Sequence, residues 1–592
     1  GTSGGTQTYT GGITAIDPSA ITINGVINTA SAALNLGAAS RTVTLGSDVT
    51  INTYSDGGSG GAVTISSAIE ANSAGLQSLT IQTKGATATL AGTIGGTKAL
   101  GTLTLGDSAQ TGTITISAAF TVGALTVGVN GGVNAFAVTL NNVSGAVGTS
   151  TVTNATTFYN TGAIRLGDYL TDVFNFNGGV VSNLSSRVTV AAAQISTNNA
   201  ALHIASPLTF EASTSISAGS GRIDLGATSL SSGATLIVGG ASQSGEIYLS
   251  SVTGQSGAGA VSNLTIHTTG AVSISGAIGT RIGRLTVTNS GGITFNGAVG
   301  ASADLVSLVL LSNTTGTVLF AGDLYATSLS NPASSFDIKL YGSNTRVVDF
   351  VTLNTTGTVY YGDLATTIID CVCLTTGTPD VLTFDRGIRH AGSNKVAGTF
   401  TKSTILTCTG SDCGINFTAG TTEFIGASTT IDFGVMPIVF DNIVLANGVT
   451  LTLGGGGSGS ITVGSIAGIP IAAPFGENLN CPANVVINTT GAFSLLRTIG
   501  TNIGLLTVTN SGGATFAGAV DTTTGVTLTN TSGTISFNDA LTTPTLTTAV
   551  QPYNLQLNGT TGTITNAVAF TNTGTLKLGA SNGTQNYISG FS

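Results

Sequence analysis

Two small acidic clusters, three histidines and five cysteines are the residues of this chain whose types could do chemistry. Asp168 lies four positions before Asp172, and Asp380 lies near Asp385-Arg386. Paired carboxylates with a neighbouring cation are what acid–base cleavage of an acidic polysaccharide, or calcium binding, requires. Both groupings read instead as surface clusters, because no further carboxylates converge on either. His203, His267 and His390 are far apart and belong to no His-x-x-His or Glu-containing metal pattern. His267 falls opposite Asn488 in an internal repeat, which suits a solvent-facing position better than a ligand. The run Gly454-Gly455-Gly456-Gly457 lacks the following Lys-Ser/Thr of a phosphate loop, and no G-x-S-x-G sits between a strand and a helix. The expectation is no catalytic residue, no cofactor and no metal. Polysaccharide cleavage is kept as a minor alternative.

The cysteines do not make a metal set either. Cys371-Val372-Cys373, Cys408 with Cys413, and Cys481 supply no Cys-x-x-Cys knuckle. In a secreted chain they are disulfide candidates, Cys408–Cys413 together with one bridge from the 371/373 pair being the first arrangement to test. With five cysteines one stays free or pairs between chains, and the connectivity is open.

The elements that would carry these residues follow from composition. Of 592 residues 85 are Gly, only 7% are charged, 6% are aromatic and Trp is absent. Thr, Val, Ile, Ser, Asn and Gly dominate, so β-branched residues fit pleated surfaces while Gly and Asn make corners. A hydrophobic fraction of 41% argues against a disordered polar chain. A net charge of −9 opposes nucleic-acid binding, and no apolar run of 18 or more residues exists to span a membrane as a helix.

Internal repetition then selects the architecture. Residues 278–299 recur at 499–520 with four differences in 22 positions: Arg281/Asn502, Arg284/Leu505, Ile293/Ala514 and Asn296/Ala517. Apolar-polar-apolar triplets such as Leu79-Thr80-Ile81, Leu103-Thr104-Leu105, Leu264-Thr265-Ile266 and Leu285-Thr286-Val287 recur every 21–24 residues. That spacing predicts an all-β, parallel β-solenoid of about 27 coils, two or three short strands per coil, with Leu and Val inward and Thr outward. Phrases such as Asn313-Thr314-Thr315-Gly316 and Asn354-Thr355-Thr356-Gly357 read as its corners. Their matches to the glycosylation sequon are mostly compositional.

Residues 336–413 hold 13 of the 41 charged residues and four of the cysteines. The expected organisation is therefore solenoid repeats over 1–335, an atypical charged and Cys-containing section or insertion over 336–480, and repeats again over 481–592. The ends echo each other: Gly5-Thr6-Gln7-Thr8-Tyr9 resembles Gly583-Thr584-Gln585-Asn586-Tyr587. Open solenoid ends invite another strand, so Thr6, Gln7, Tyr9, Thr584, Gln585 and Tyr587 are the assembly candidates for head-to-tail stacking.

The phrases Gly5–Thr10, Ala91–Leu100 and Leu285–Asn289 resemble those of giant secreted bacterial repeat proteins, similar to filamentous-haemagglutinin and autotransporter passengers. The resemblance covers most of the chain outside 336–480. It implies a right-handed parallel β-helix outside the cell, used for adhesion or as a structural fibre. The family's N-terminal secretion segment and membrane barrel are not in this sequence. The expected function is a non-enzymatic subunit of an extracellular filament or cell-surface layer, with the stalk of a giant adhesin as the alternative. Expected partners are copies of itself and host or surface glycans, with no nucleic acid and no membrane span.

Overall fold

The computed structural model describes residues 4–132, 134–140, 148–255, 259–348, 351–355, 357, 359–361, 380–384, 388–390, 396–400, 404–407, 415–424, 429–469, 482–500, 502–580 and 584–590. Among these there is no helix; the chain is all-β, its parallel strands stacked as a β-solenoid of about 22 turns. It divides into two compact units, Gly1–Gly292 and Ile293–Ser592.

In the first unit each coil lays down three strand segments, and each segment pairs in parallel with its counterpart one coil on. Ile13–Ala15 starts an 11-stranded parallel sheet that passes through Leu34–Leu36 and Val63–Ile65 to Val252–Gly254. The remaining segments of each coil build the other walls, for example Leu79–Gln82 in register with Leu103–Leu105. The second unit repeats the plan: Leu506 pairs with Val526, Ala514 with Ile535 and Val520 with Leu541. Strands described between 336 and 480, such as Ile338–Leu340, Ile388–His390 and Ile438–Ala446, run in the same parallel ladder. Coils run from 20 residues (Leu506 to Val526) to 39 (Tyr360 to Thr399). That range exceeds the expected 21–24, and the turns are fewer than 27. Strands must hold register because a one-residue slip would turn the core side chains outward, whereas corners tolerate extra residues.

The period of two is visible in the burial. Val63-Thr64-Ile65 and Leu208-Thr209-Phe210 alternate buried, half-buried, buried. Inside, aromatic rings stack from coil to coil: Phe493, Phe516 and Phe537 lie 5.3 and 4.6 Å apart by centroid, and Phe295 and Phe320 lie 4.7 Å apart. Such pairs add about 0.5–1.5 kcal/mol each beyond area burial. Towards the corners, side-chain amides stack as well. Asn510 Nδ2 donates to Asn488 Oδ1 (3.0 Å), and Asn530 Nδ2 donates to Asn510 Oδ1 (2.7 Å). Asn558 Nδ2 donates likewise to Asn538 Oδ1 (3.0 Å). The long sequence echo folds alike in both units: Arg281 and Asn502 each take a left-handed φ, 64° and 63°, just before the strands Ile282–Asn289 and Ile503–Ser511.

Candidate functional site

The most distinctive surfaces are the first and last strands of the ladder. Thr6–Tyr9 pairs with Val26–Thr29 along one edge, and among the described residues it has no strand on the other. Thr584–Tyr587 pairs with Thr561–Ile564 and is equally open beyond. The two strands then turn the same corner. Gly12 N–H donates to the Tyr9 carbonyl (3.0 Å) and Gly590 N–H to the Tyr587 carbonyl (3.2 Å), with φ of 84° and 86°. A left-handed residue closing a three-residue corner is where Gly is preferred. Past each corner the chain reaches the next wall: Ile13 N–H donates to the Ala33 carbonyl (3.0 Å), and the Gly590 carbonyl accepts from Val568 N–H (3.1 Å). Thr6–Gly12 and Thr584–Gly590 are thus the same half-coil, one covered from the C-terminal side and the other from the N-terminal side.

The strand Leu576–Leu578 leaves core positions uncovered among the described residues. Leu576 and Leu578 stand in register with buried Leu555 and Leu557, yet Leu578 is 36% exposed, with no strand paired beyond it among the described residues. Asn28, opposite Thr8 in the first coil, has a buried Oδ1 without a partner among the described residues. Tyr9 is 44% exposed. Burial pushes the Tyr587 phenol up from its ordinary value, and its ring meets Phe570 edge-on at 6.4 Å. The six assembly candidates of the sequence lie on these two end strands; Leu576, Leu578 and Asn28 were not singled out by sequence. Their signal was an apolar or amide position in coil register with no coil beyond.

The chemistry candidates resolve differently. Asp172 is 0% exposed, and its Oδ2 accepts the backbone N–H groups of Asp168 (3.0 Å) and Tyr169 (3.1 Å). Burial raises its pKa, with the neighbouring Asp168 charge adding to the rise and the two amide bonds opposing it. The Asp168/Asp172 pair therefore clamps a corner. His203 belongs to a network running over three coils: its Nδ1 is 3.1 Å from Asp224 Oδ2, which also accepts from Arg222 Nη2 (2.7 Å). The Arg222 guanidinium lies 3.8 Å over the Tyr248 ring, and the Tyr248 hydroxyl donates to Glu246 (3.2 Å). Its signal was the coil-length spacing of 203, 224 and 248, which sequence reading passed over. Solvent-facing pairs of this kind are worth about 0–1 kcal/mol.

A third cluster joins coils through Tyr54, whose hydroxyl donates to Asp107. Burial first, then that hydrogen bond and the Asp107 charge, push the phenol up to about 12. His267 ends the strand Ser262–His267 and is half-buried. His390 and Asp380 lie within strands, but their side chains, and all of Asp385, Arg386 and the disulfide candidates Cys371, Cys373, Cys408, Cys413 and Cys481, lie outside the described residues. Among the described residues no three His, Cys, Asp or Glu side chains gather to hold a metal, and no helix is long and apolar enough to cross a membrane. No protein-family model, curated protein or solved structure matches the chain.

Proposed function

We propose that this chain is a non-enzymatic structural subunit of an extracellular filament or cell-surface layer, stacking end to end through its outermost coils. The observation that supports this most directly is that Leu576 and Leu578 occupy core register with no strand paired beyond them among the described residues. Covering such positions removes apolar surface from water at about 25 cal/mol per Å² and supplies hydrogen bonds to an open strand edge. A head-to-tail contact of this kind is heterologous and does not close, so it propagates. The proposal extends to location outside the cell, where polar, nearly uncharged outer faces of Thr and Ser suit lateral packing.

The same open edges favour one other reading, the stalk of a giant adhesin, in which further coils of one longer polypeptide would cover them. Negative-stain electron microscopy of the 592-residue chain over a concentration series separates the two. Filaments that lengthen with concentration are expected. Particles of one uniform length at every concentration would leave the stalk reading in front.

A further inference from the structure

Building on the end-to-end reading, we infer that copies join by strand replacement: Thr584–Gly590 of one copy takes the place of Thr6–Gly12 on the next. The argument is one of seats. Beyond Thr561–Ile564 and before Val26–Thr29, a continuous solenoid has room for one strand on that wall. Two strands compete for it, the copy's own Thr6–Tyr9 and the neighbour's Thr584–Tyr587, offset by 578 positions (584 − 6). If both stayed, that wall would carry one strand more than its neighbours. Ile13–Ala15 and Ile21–Ile23 would then be held away from the walls of Val568 and Leu576–Leu578 by one strand spacing, about 4.8 Å. With one of them displaced, all three walls close together.

The occupants are interchangeable. They carry Thr-Gln-Thr-Tyr and Thr-Gln-Asn-Tyr, and they turn the same glycine corner with the same Tyr carbonyl bond. Replacement sets the register Thr584 to Val26, Gln585 to Ile27, Asn586 to Asn28 and Tyr587 to Thr29 of the next copy, as Thr6–Tyr9 now stands. The one change at the centre favours the exchange. Asn586 brings an amide opposite Asn28, whose buried Oδ1 lacks a partner among the described residues while Thr8 stands opposite it. The contact formed is the one already made within the chain at Asn488–Asn510–Asn530 and Asn538–Asn558. Thr6–Tyr9, exposed along its whole length, acts meanwhile as a removable cap of the kind that keeps solenoid ends soluble.

The test compares the full chain with variants lacking 1–12, lacking 583–592, or lacking both, each checked for unchanged far-UV circular dichroism. Light scattering and electron microscopy give the concentration at which filaments form. Removing 1–12 is expected to lower that concentration about tenfold, because no cap must leave. Removing 583–592 leaves Thr6–Gly12 to fill the seat, so filaments persist. Removing both empties the seat and raises the concentration at least about a hundredfold. Loss of filaments on deleting 1–12 alone would mean that both strands are needed, and would overturn strand replacement while leaving end-to-end stacking intact. Absence of filaments from the full chain and every variant would overturn the stacking itself. As a check independent of deletions, Asn28→Cys and Asn586→Cys chains bearing different tags are mixed and oxidised. A disulfide mapped between positions 28 and 586 of different copies is expected, since adjacent parallel strands place Cα atoms within bridging range. No such link in assembled material would contradict the register.

Discussion

Leu557 and Leu578 sit in register on successive coils, yet Leu557 is 1% exposed and Leu578 is 36% exposed. The residue type and the wall are the same and the triplets are alike (Leu-Gln-Leu against Leu-Lys-Leu); among the described residues only Leu555–Leu557 has a strand paired beyond it. In a solenoid, burial is supplied by the neighbouring turn, so an end is defined by what is missing rather than by unusual residues. The first strand shows the complementary case. Thr6–Tyr9 is exposed throughout, whereas the interior strand Leu79–Gln82 alternates buried and half-buried between two paired neighbours. Interior strands are paired on both edges, whereas each end strand is paired on one edge among the described residues.

Several substitutions would break or sharpen that contrast. The largest effect is expected inside: Phe516→Ala, which removes the middle ring of the Phe493–Phe516–Phe537 stack, should lower the opening free energy of the surrounding coils by about 3–5 kcal/mol, read by hydrogen exchange. Leu557→Ala should cost about 2–5 kcal/mol by the same measurement, while Leu578→Ala should leave the unassembled chain nearly unchanged and raise the concentration needed for filaments. Equal losses at 557 and 578 in the unassembled chain would erase the contrast. Asn510→Ala removes the middle rung of an amide ladder and should cost about 1 kcal/mol.

The smallest effects are titrations. Tyr54 should ionise near pH 12, after tyrosines of ordinary pKa, in an absorbance titration, and Tyr54→Phe should delete that late step. Because its folded pKa is raised, the stability it contributes is full below its unfolded value of 10.0 and is lost as pH rises through about 12. Asp172 follows the same sign at lower pH. Its contribution is full below 3.8 and falls as pH rises through the raised folded value, so Asp172→Asn should flatten the local pH dependence while an amide oxygen keeps the clamp on Asp168 and Tyr169.

Much of the fold was legible because a period of two within strands and a recurring coil length leave marks in the order of the residues. Leu103-Thr104-Leu105 and Leu79-Thr80-Ile81 read as equivalent triplets and are paired residue for residue. Coil lengths were less legible, since corners such as those between Leu451 and Val485 lengthen without disturbing the ladder. The end strands were found through their shared Thr-Gln-x-Tyr. Their shared glycine corner was not, because left-handed φ and carbonyl partners belong to the folded backbone. Asp168 and Asp172 read as a surface cluster, but Asp172 is buried; backbone N–H groups, invisible in a sequence, are what its carboxylate binds.

The most direct test of the account uses a synthetic peptide of residues 583–592, Gly-Thr-Gln-Asn-Tyr-Ile-Ser-Gly-Phe-Ser, added to the full chain under filament-forming conditions. If Thr584–Gly590 is the segment that seats on Val26–Thr29 of the next copy, the peptide should occupy that edge and shorten filaments in a dose-dependent way, while a scrambled peptide should not. Filaments of unchanged length at saturating peptide, or equal shortening by the scrambled sequence, would contradict it.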